Sequence, residues 1–199
     1  QKLMLDYLMM MQLSLTGETR KSIEAGEMLI GKSMEKYPSI ALDAHHRQAL
    51  SLLSLRQPEQ ASQQSLKAME LANSLIESET NKTPVQRKAV RLATALSASL
   101  VTSRRHEEAD AVCEPWSKIS EKIHFYEGQA ALLVNWSTSK YQQGDREDAR
   151  RIILQCRELI ERHGAPTARS YCALIEGRLA VEKGEADGGL RLLDEALSL

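Results

Sequence analysis

Residues 142–153 read QQGDREDARRII. A polar step holding a glycine leads into charged residues, then a small residue, Ala149, then an apolar pair. Residues 102–113, TSRRHEEADAVC, run the same way, and so do residues 181–193, VEKGEADGGLRLL. Two earlier stretches belong with them, LTGETRKS at 15–22 and LRQPEQA at 55–61. The small residues that anchor the five stretches are Ser22, Ala61, Ala109, Ala149 and Gly189, at intervals of 39, 48, 40 and 40 residues. A near-constant interval of this length marks a repeat architecture, in which one supersecondary unit recurs.

On both sides of each stretch, apolar residues return at three and four, the helical period. After Ala149 come Ile152, Ile153, Cys156, Leu159 and Ile160; before Gly144 come Ala130, Leu133, Val134 and Tyr141. Each stretch is therefore the turn of an antiparallel helix pair. Gly144 and Gly184 suit the left-handed conformation that ends a first helix. The acidic residues that follow suit the first turn of the second helix, where the helix dipole favours them. The spacing predicts ten helices, at about 1–15, 18–36, 40–55, 58–78, 84–102, 106–122, 124–142, 146–163, 167–182 and 186–199. Breaks at KYPS, ETNKTP and HGAP separate the pairs. Pro115 falls inside the sixth helix, where it removes a hydrogen bond; a kink is expected there in preference to a break.

Composition agrees with an all-helical chain. Aromatics make up only 4% of the 199 residues, and good helix formers fill the remainder. Twenty-six basic residues against 27 acidic ones leave a formal net charge of −1, so no global field draws nucleic acid. The three cysteines, Cys113, Cys156 and Cys172, are an odd number without CxxC spacing and fit a reducing, cytoplasmic setting. The start, QKLMLDYLMMMQLSL, is interrupted by Asp6 and lacks a small-residue cleavage site, so it reads as helix and not as a signal peptide. No apolar run approaches the length of a membrane span. A chain that begins at Gln inside a helical pattern is expected to be a piece of a longer protein.

The helix pairs resemble tetratricopeptide repeats. That family has a small residue within the first helix, a glycine at the turn and small residues at two places in the second helix. Gly177, Gly184, Gly189 and Ala196 fall on those places in the last pair, and Ser137, Gly144, Ala149 and Cys156 in the fourth. Ala49, Ala61, Ser65 and Ala68 do so in the second, and Ser97 and Ala109 in the third. Departures are the period of about 40 in place of 34, Arg56 and Arg104 at turn-glycine positions, and Trp116 at a small site. The resemblance implies an all-α, right-handed superhelix, or α-solenoid, of about five helix pairs. It implies one domain over 1–199, with units at 1–38, 39–80, 83–123, 124–164 and 166–199. Long repeats of this kind are similar to those attached to large multidomain bacterial regulators, the ATP-binding transcriptional activators and cyclase-linked proteins.

In such a superhelix the first helices line a concave groove. Tyr7, Met11, Asp43, His46, Arg91, Thr138, Tyr141, Tyr171 and Arg178 are the expected partner-binding residues there. The groove suits a protein or peptide, or a small effector. The expected function is a non-catalytic protein-interaction and signal-sensing domain of a transcriptional or signalling regulator. It would pack with neighbouring domains of its own chain and touch neither nucleic acid nor membrane. The alternative is a constitutive assembly scaffold, adaptor or cochaperone.

No residue set points to catalysis, a cofactor or a metal. His45 and His46 lie about 100° apart on a helix and do not share a ligand sphere easily. HEEAD at 106–110 lacks the second histidine of a zincin. Cys156 falls on a buried small position, so packing outweighs reactivity for it and for Cys172. The basic group Arg87, Lys88, Arg91, Arg104 and Arg105 reads as a solvated face balanced by Glu107 and Glu108. Met4, Met9, Met10 and Met11 read as packing in the core or against a neighbouring repeat.

Overall fold

In the computed structural model, which describes residues 2–198, ten α-helices follow one another. They are α1 (Lys2–Leu15), α2 (Thr19–Ser33), α3 (Pro38–Ser54), α4 (Pro58–Ser78) and α5 (Thr83–Thr102), then α6 (His106–Lys122), α7 (Tyr126–Gln143), α8 (Arg146–His163), α9 (Pro166–Glu182) and α10 (Ala186–Ser198). There is no strand among the described residues. The expected ends at Gln1 and Leu199 lie outside them. None of the described helices is long and apolar enough to cross a membrane.

The boundaries follow from punctuation. α3, α4, α5 and α9 each carry proline in the first two positions, where its missing N–H costs nothing. Gly144 caps α7 at φ 88°, and Gly184 follows α9 at φ 90°. Asp145 caps α8, its carboxylate accepting from the Asp148 amide at 3.2 Å. Arg56 and Arg104 stand at φ 59° and 60°, in the left-handed conformation that glycine adopts more cheaply. α6 runs unbroken through Pro115.

The chain divides into two compact units, Gln1–Ser103 and Arg104–Leu199; the division falls at the turn inside the pair expected at 83–123. In the first unit, consecutive helices pack as antiparallel neighbours, and α1, α3 and α5 also touch one another in order, forming one layer with α2 and α4 behind it. In the second unit α7 and α9 form the corresponding layer, with α6, α8 and α10 behind.

Within the units, the two helices of a pair meet at residues twelve apart, the second of them small. The Ser22 hydroxyl donates to the Met10 carbonyl at 3.1 Å, and the Ser137 hydroxyl donates to the Ala149 carbonyl at 2.8 Å. Ala49 and Ala61 are fully buried. A Cβ on Gly189 would lie 2.8 Å from the Gly177 carbonyl oxygen, closer than real Cβ atoms approach. The anchors Ser22, Ala149 and Gly189 are therefore points of close approach between the two helices of their pairs. The surrounding core is aliphatic and thiol-rich in the second unit, with Leu133, Ile152, Ile153 and Cys156 all nearly or fully buried.

The methionine-rich first helix behaves differently from expectation. Met10 is buried with Ala25, Leu29 and Ala44, but Met4 and Met9 are 53% and 47% exposed. Among the described residues α1 packs only on α2 and α3, so the side of it carrying Leu5, Leu8 and Met9 is uncovered.

Candidate functional site

In each unit the layer of first helices is the candidate binding face. In the first unit, α1 contributes Tyr7 and Met11, both half-buried. α3 contributes Asp43 and His46, and α5 contributes Arg91, which is exposed. Asp43 is not an open carboxylate. It is ion-paired with Lys88, whose ammonium also donates to the Ser39 carbonyl at 2.8 Å, so this trio ties α3 to α5. Burial, reinforced by the Arg47 and Arg91 charges, pushes the His46 imidazole down to about 4 and keeps it neutral. His45 turns the other way. It is buried, its pKa is also lowered to about 4 by burial and then by Lys67 of α4, and its Nδ1 has no partner. The two imidazoles therefore answer to different neighbouring helices, as their helical spacing requires.

In the second unit, α7 contributes Thr138 and Tyr141, and α9 contributes Tyr171 and Arg178. The Thr138 hydroxyl is turned back onto the Val134 carbonyl at 2.7 Å, leaving its methyl as the surface group. Tyr141 is held from two sides. Its hydroxyl donates to Glu182, which also takes Arg146 Nε at 2.5 Å, and the Arg146 guanidinium lies 4.1 Å from the centre of the Tyr141 ring. The Glu182 hydrogen bond raises the tyrosine pKa first, with burial second. By contrast Tyr171 is 61% exposed and Arg178 is exposed too. Arg178 precedes Glu182 by one turn of α9, whereas Tyr171 precedes it by eleven residues, about 16 Å along the axis.

The chemical readings set aside from sequence have the following geometry. Cys156 is fully buried with its thiol directed at the Ala130 carbonyl at 3.5 Å. Its hydrogen bond with Cys172 and its burial push its pKa well up, the opposite of an activated nucleophile. His163 is engaged elsewhere, stacked on Tyr126 at 3.8 Å. Asp110 of the HEEAD stretch accepts from Lys140 at 2.8 Å and from Gln143 at 3.0 Å. Among the described residues no group of three or more His, Cys, Asp or Glu is placed to hold a metal. In the basic group, Lys88 belongs to Asp43, and Arg105 makes a two-pronged contact with Glu108 at 2.7 and 2.6 Å.

One cavity escaped the sequence reading. A trough of about 890 Å³ in the second unit runs between α6 and α8 over α7, away from all nine expected residues. The signal available was HFY at 124–126 with Trp136 ten residues on, a local excess of rings in a chain poor in them.

No family model and no curated protein matches the chain. Solved structures do. RapI in its apo form gives a TM-score of 0.78 at 12% identity, covering 98% of this chain and 69% of that one. The TPR-like repeats of a putative kinesin light chain from Podosopora anserina give 0.72 at 13%, covering 99% and 93%. PlcR of Bacillus thuringiensis, solved in complex with the peptide PapR7 and DNA, gives 0.73 at 11%, covering 99% and 70%. At such identities the likeness speaks to fold, and with ten helices paired at recurring small residues it is decisive there: the chain is an all-α solenoid of TPR-like helix pairs.

Proposed function

We propose that this chain is a non-catalytic protein-interaction domain that holds a peptide or a protein segment on its first-helix face and serves a multidomain bacterial regulator. The observation that carries this reading is the α7–α9 surface, where Arg178 stands open to solvent one turn of α9 before Glu182, the residue that holds Tyr141, and Tyr171 stands open two turns before Arg178. Aromatic and arginine side chains on a rigid support are the residue types that dominate interface energies. An exposed guanidinium selects a carboxylate, and two tyrosines select apolar or aromatic side chains, so the ligand is an acidic, aromatic-bearing segment. The regulator reading draws on PlcR, a neighbour in fold that was solved with a peptide and DNA. A cytoplasmic setting fits the three free thiols.

The test is a titration with synthetic peptides carrying Asp or Glu two or three residues from Phe or Leu, followed by fluorescence anisotropy. Arg178→Ala and Tyr171→Ala should each weaken binding by about 1–3 kcal/mol while leaving the melting temperature within a degree or two. Unchanged affinity in both variants would remove the first-helix face from the account.

A further inference from the structure

Two apolar stripes run along opposite sides of α1. The inner one, Leu3, Tyr7, Met10 and Leu13, packs on Ala25 and Leu29 of α2 and Ala44 of α3. The outer one is Leu5, Leu8, Gln12 and Leu15, spaced by three, four and three, and all four are exposed. Met10 lies about 180° around the helix from the middle of this outer stripe. Met4 and Met9 flank the stripe and are exposed too, while Met11, expected on the first-helix face, borders it half-buried. A helix that meets solvent on its outer side carries charge there, whereas one apolar on both sides is covered on both. Among the described residues α1 touches only α2 and α3, and these take the inner stripe.

The spacing selects a helix as the covering element. Alternation of three and four is the seam of a coiled coil, with Leu5 and Gln12 at one core position and Leu8 and Leu15 at the other. An extended strand, whose side chains alternate every second residue, has no such match. Charge then narrows the choice to a second copy. Beside the seam stand Met4, Met9, Met11 and Thr16, none of them charged, so two copies meet there without like-charge repulsion. Lys2 lies at the first turn, and Asp6, off the stripe, is already paired with Lys32 at 2.9 Å. Gln12 is the one polar residue of the seam, and its amide carries both donors and an acceptor, so it complements itself. α10 offers open leucines too, Leu190 and Leu197, but exposed Arg191 and Asp194 stand between them. Seating α10 on the α1 stripe would strip water from both charges with nothing on α1 to pair them.

We propose that the outer stripe of α1 pairs with the same stripe of a second copy of this chain, as a parallel two-helix coiled coil in register at Gln12. In that arrangement every seam residue meets its own counterpart, so amide meets amide at Gln12 and leucine meets leucine elsewhere. Antiparallel packing would set Gln12 against a leucine and leave its amide buried without a partner. Met4, Leu5, Leu8, Met9 and Leu15 are between 47% and 78% exposed. Together they offer on the order of 500 Å² per copy and about 1,000 Å² for a pair, the lower limit of a specific interface. The dimer is therefore a reversible one. The stripe belongs to the first unit, whereas Tyr171 and Arg178 belong to the second, so this pairing does not rest on the reading of the α7–α9 surface.

The test is sedimentation equilibrium of the chain in reducing buffer from about 1 to about 200 μM, where an interface of this size should carry the mass from monomer towards dimer and no further. Leu8→Glu sets two carboxylates face to face in the seam and should weaken pairing at least about tenfold. Its melting temperature in dilute solution should be unchanged, because Leu8 is exposed in the single chain. Leu5→Glu provides the same repulsion should the first variant misfold. Gln12→Cys should give a disulfide-linked dimer with oxidised glutathione, while the unaltered chain, whose three cysteines are buried, gives none. Arg178→Ala should associate as the unaltered chain does, which separates this result from failure of the α7–α9 surface. A mass that stays monomeric would leave the stripe to some other helix and overturn the proposal. So would a mass that climbs past the dimer, as head-to-tail contacts through α10 would make it. Full association by both glutamate variants, or no cross-link with Gln12→Cys, would overturn it equally.

Discussion

A Cβ on Gly188 would meet nothing within 4 Å, whereas one on Gly189 would sit 2.5 Å from Val181 Cγ2 and 2.9 Å from the Val181 amide nitrogen. The two neighbours should therefore respond oppositely to alanine. Gly188→Ala, inside α10, removes the entropy cost of a helical glycine and should stabilise by about 0.5–1 kcal/mol. Gly189→Ala forces α9 and α10 apart and should destabilise by about 1–3 kcal/mol. Thermal melts of the two single variants decide the matter, at about 2–4 °C per kcal/mol for a chain of this size. Arg56 offers the converse case. Its left-handed backbone costs about 1–2 kcal/mol that glycine does not incur, so Arg56→Gly should raise the melting temperature despite losing a side chain. That cost was legible in part, since Arg56 and Arg104 occupy the places where the repeat puts glycine. His124 and Ala165 share the conformation and gave no such signal, because they lie between pairs, where the repeat sets no residue type.

At the scale of the helix, α3 carries a pH liability. Folding holds His45 and His46 at about 4, below the ordinary 6.5, so both are neutral in the native state near neutrality. The unfolded chain takes up these protons as pH falls below 6.5, and the folded chain only near 4. Stability is therefore full above about 6.5 and is lost between there and about 4, by up to a few kcal/mol for the pair. Loss of helix content in an acid titration should begin in that window. His45→Leu, which also removes the unpartnered Nδ1, should move the midpoint to lower pH. α8 tests the capping account: Asp145→Ala should cost about 1 kcal/mol, since the Asp148 amide loses its acceptor. Helix bounds were readable to within a few residues because glycine and proline mark them. The tie from Asp43 to Lys88 was not readable, since those residues are 45 apart and a periodic pattern tells which stripe is apolar but not what covers it. For the same reason the pattern of α1 gave no warning that Met4 and Met9 would be exposed.

For the molecule as a whole, the repeat itself was the most legible feature. Small residues recurring at near-constant spacing suit places where backbones approach, and the crossings at Ser137–Ala149 and Gly177–Gly189 are where they were expected, while in the first pair the anchor Ser22 meets Met10. Function was far less legible, because a binding face differs from a solvated one only in which side chains are left open. Tyr141 and Tyr171 look alike in sequence, yet the first is clasped by Glu182 and Arg146 and the second is free to meet a ligand. The most direct measurement is a chemical-shift map of the labelled chain during titration with an acidic, aromatic-bearing peptide. The account predicts the largest changes at Tyr171 and Arg178, with smaller ones at Thr138 and Tyr141. Changes confined to exposed second-helix residues such as Leu154 and Leu190, or none at saturating peptide, would contradict it.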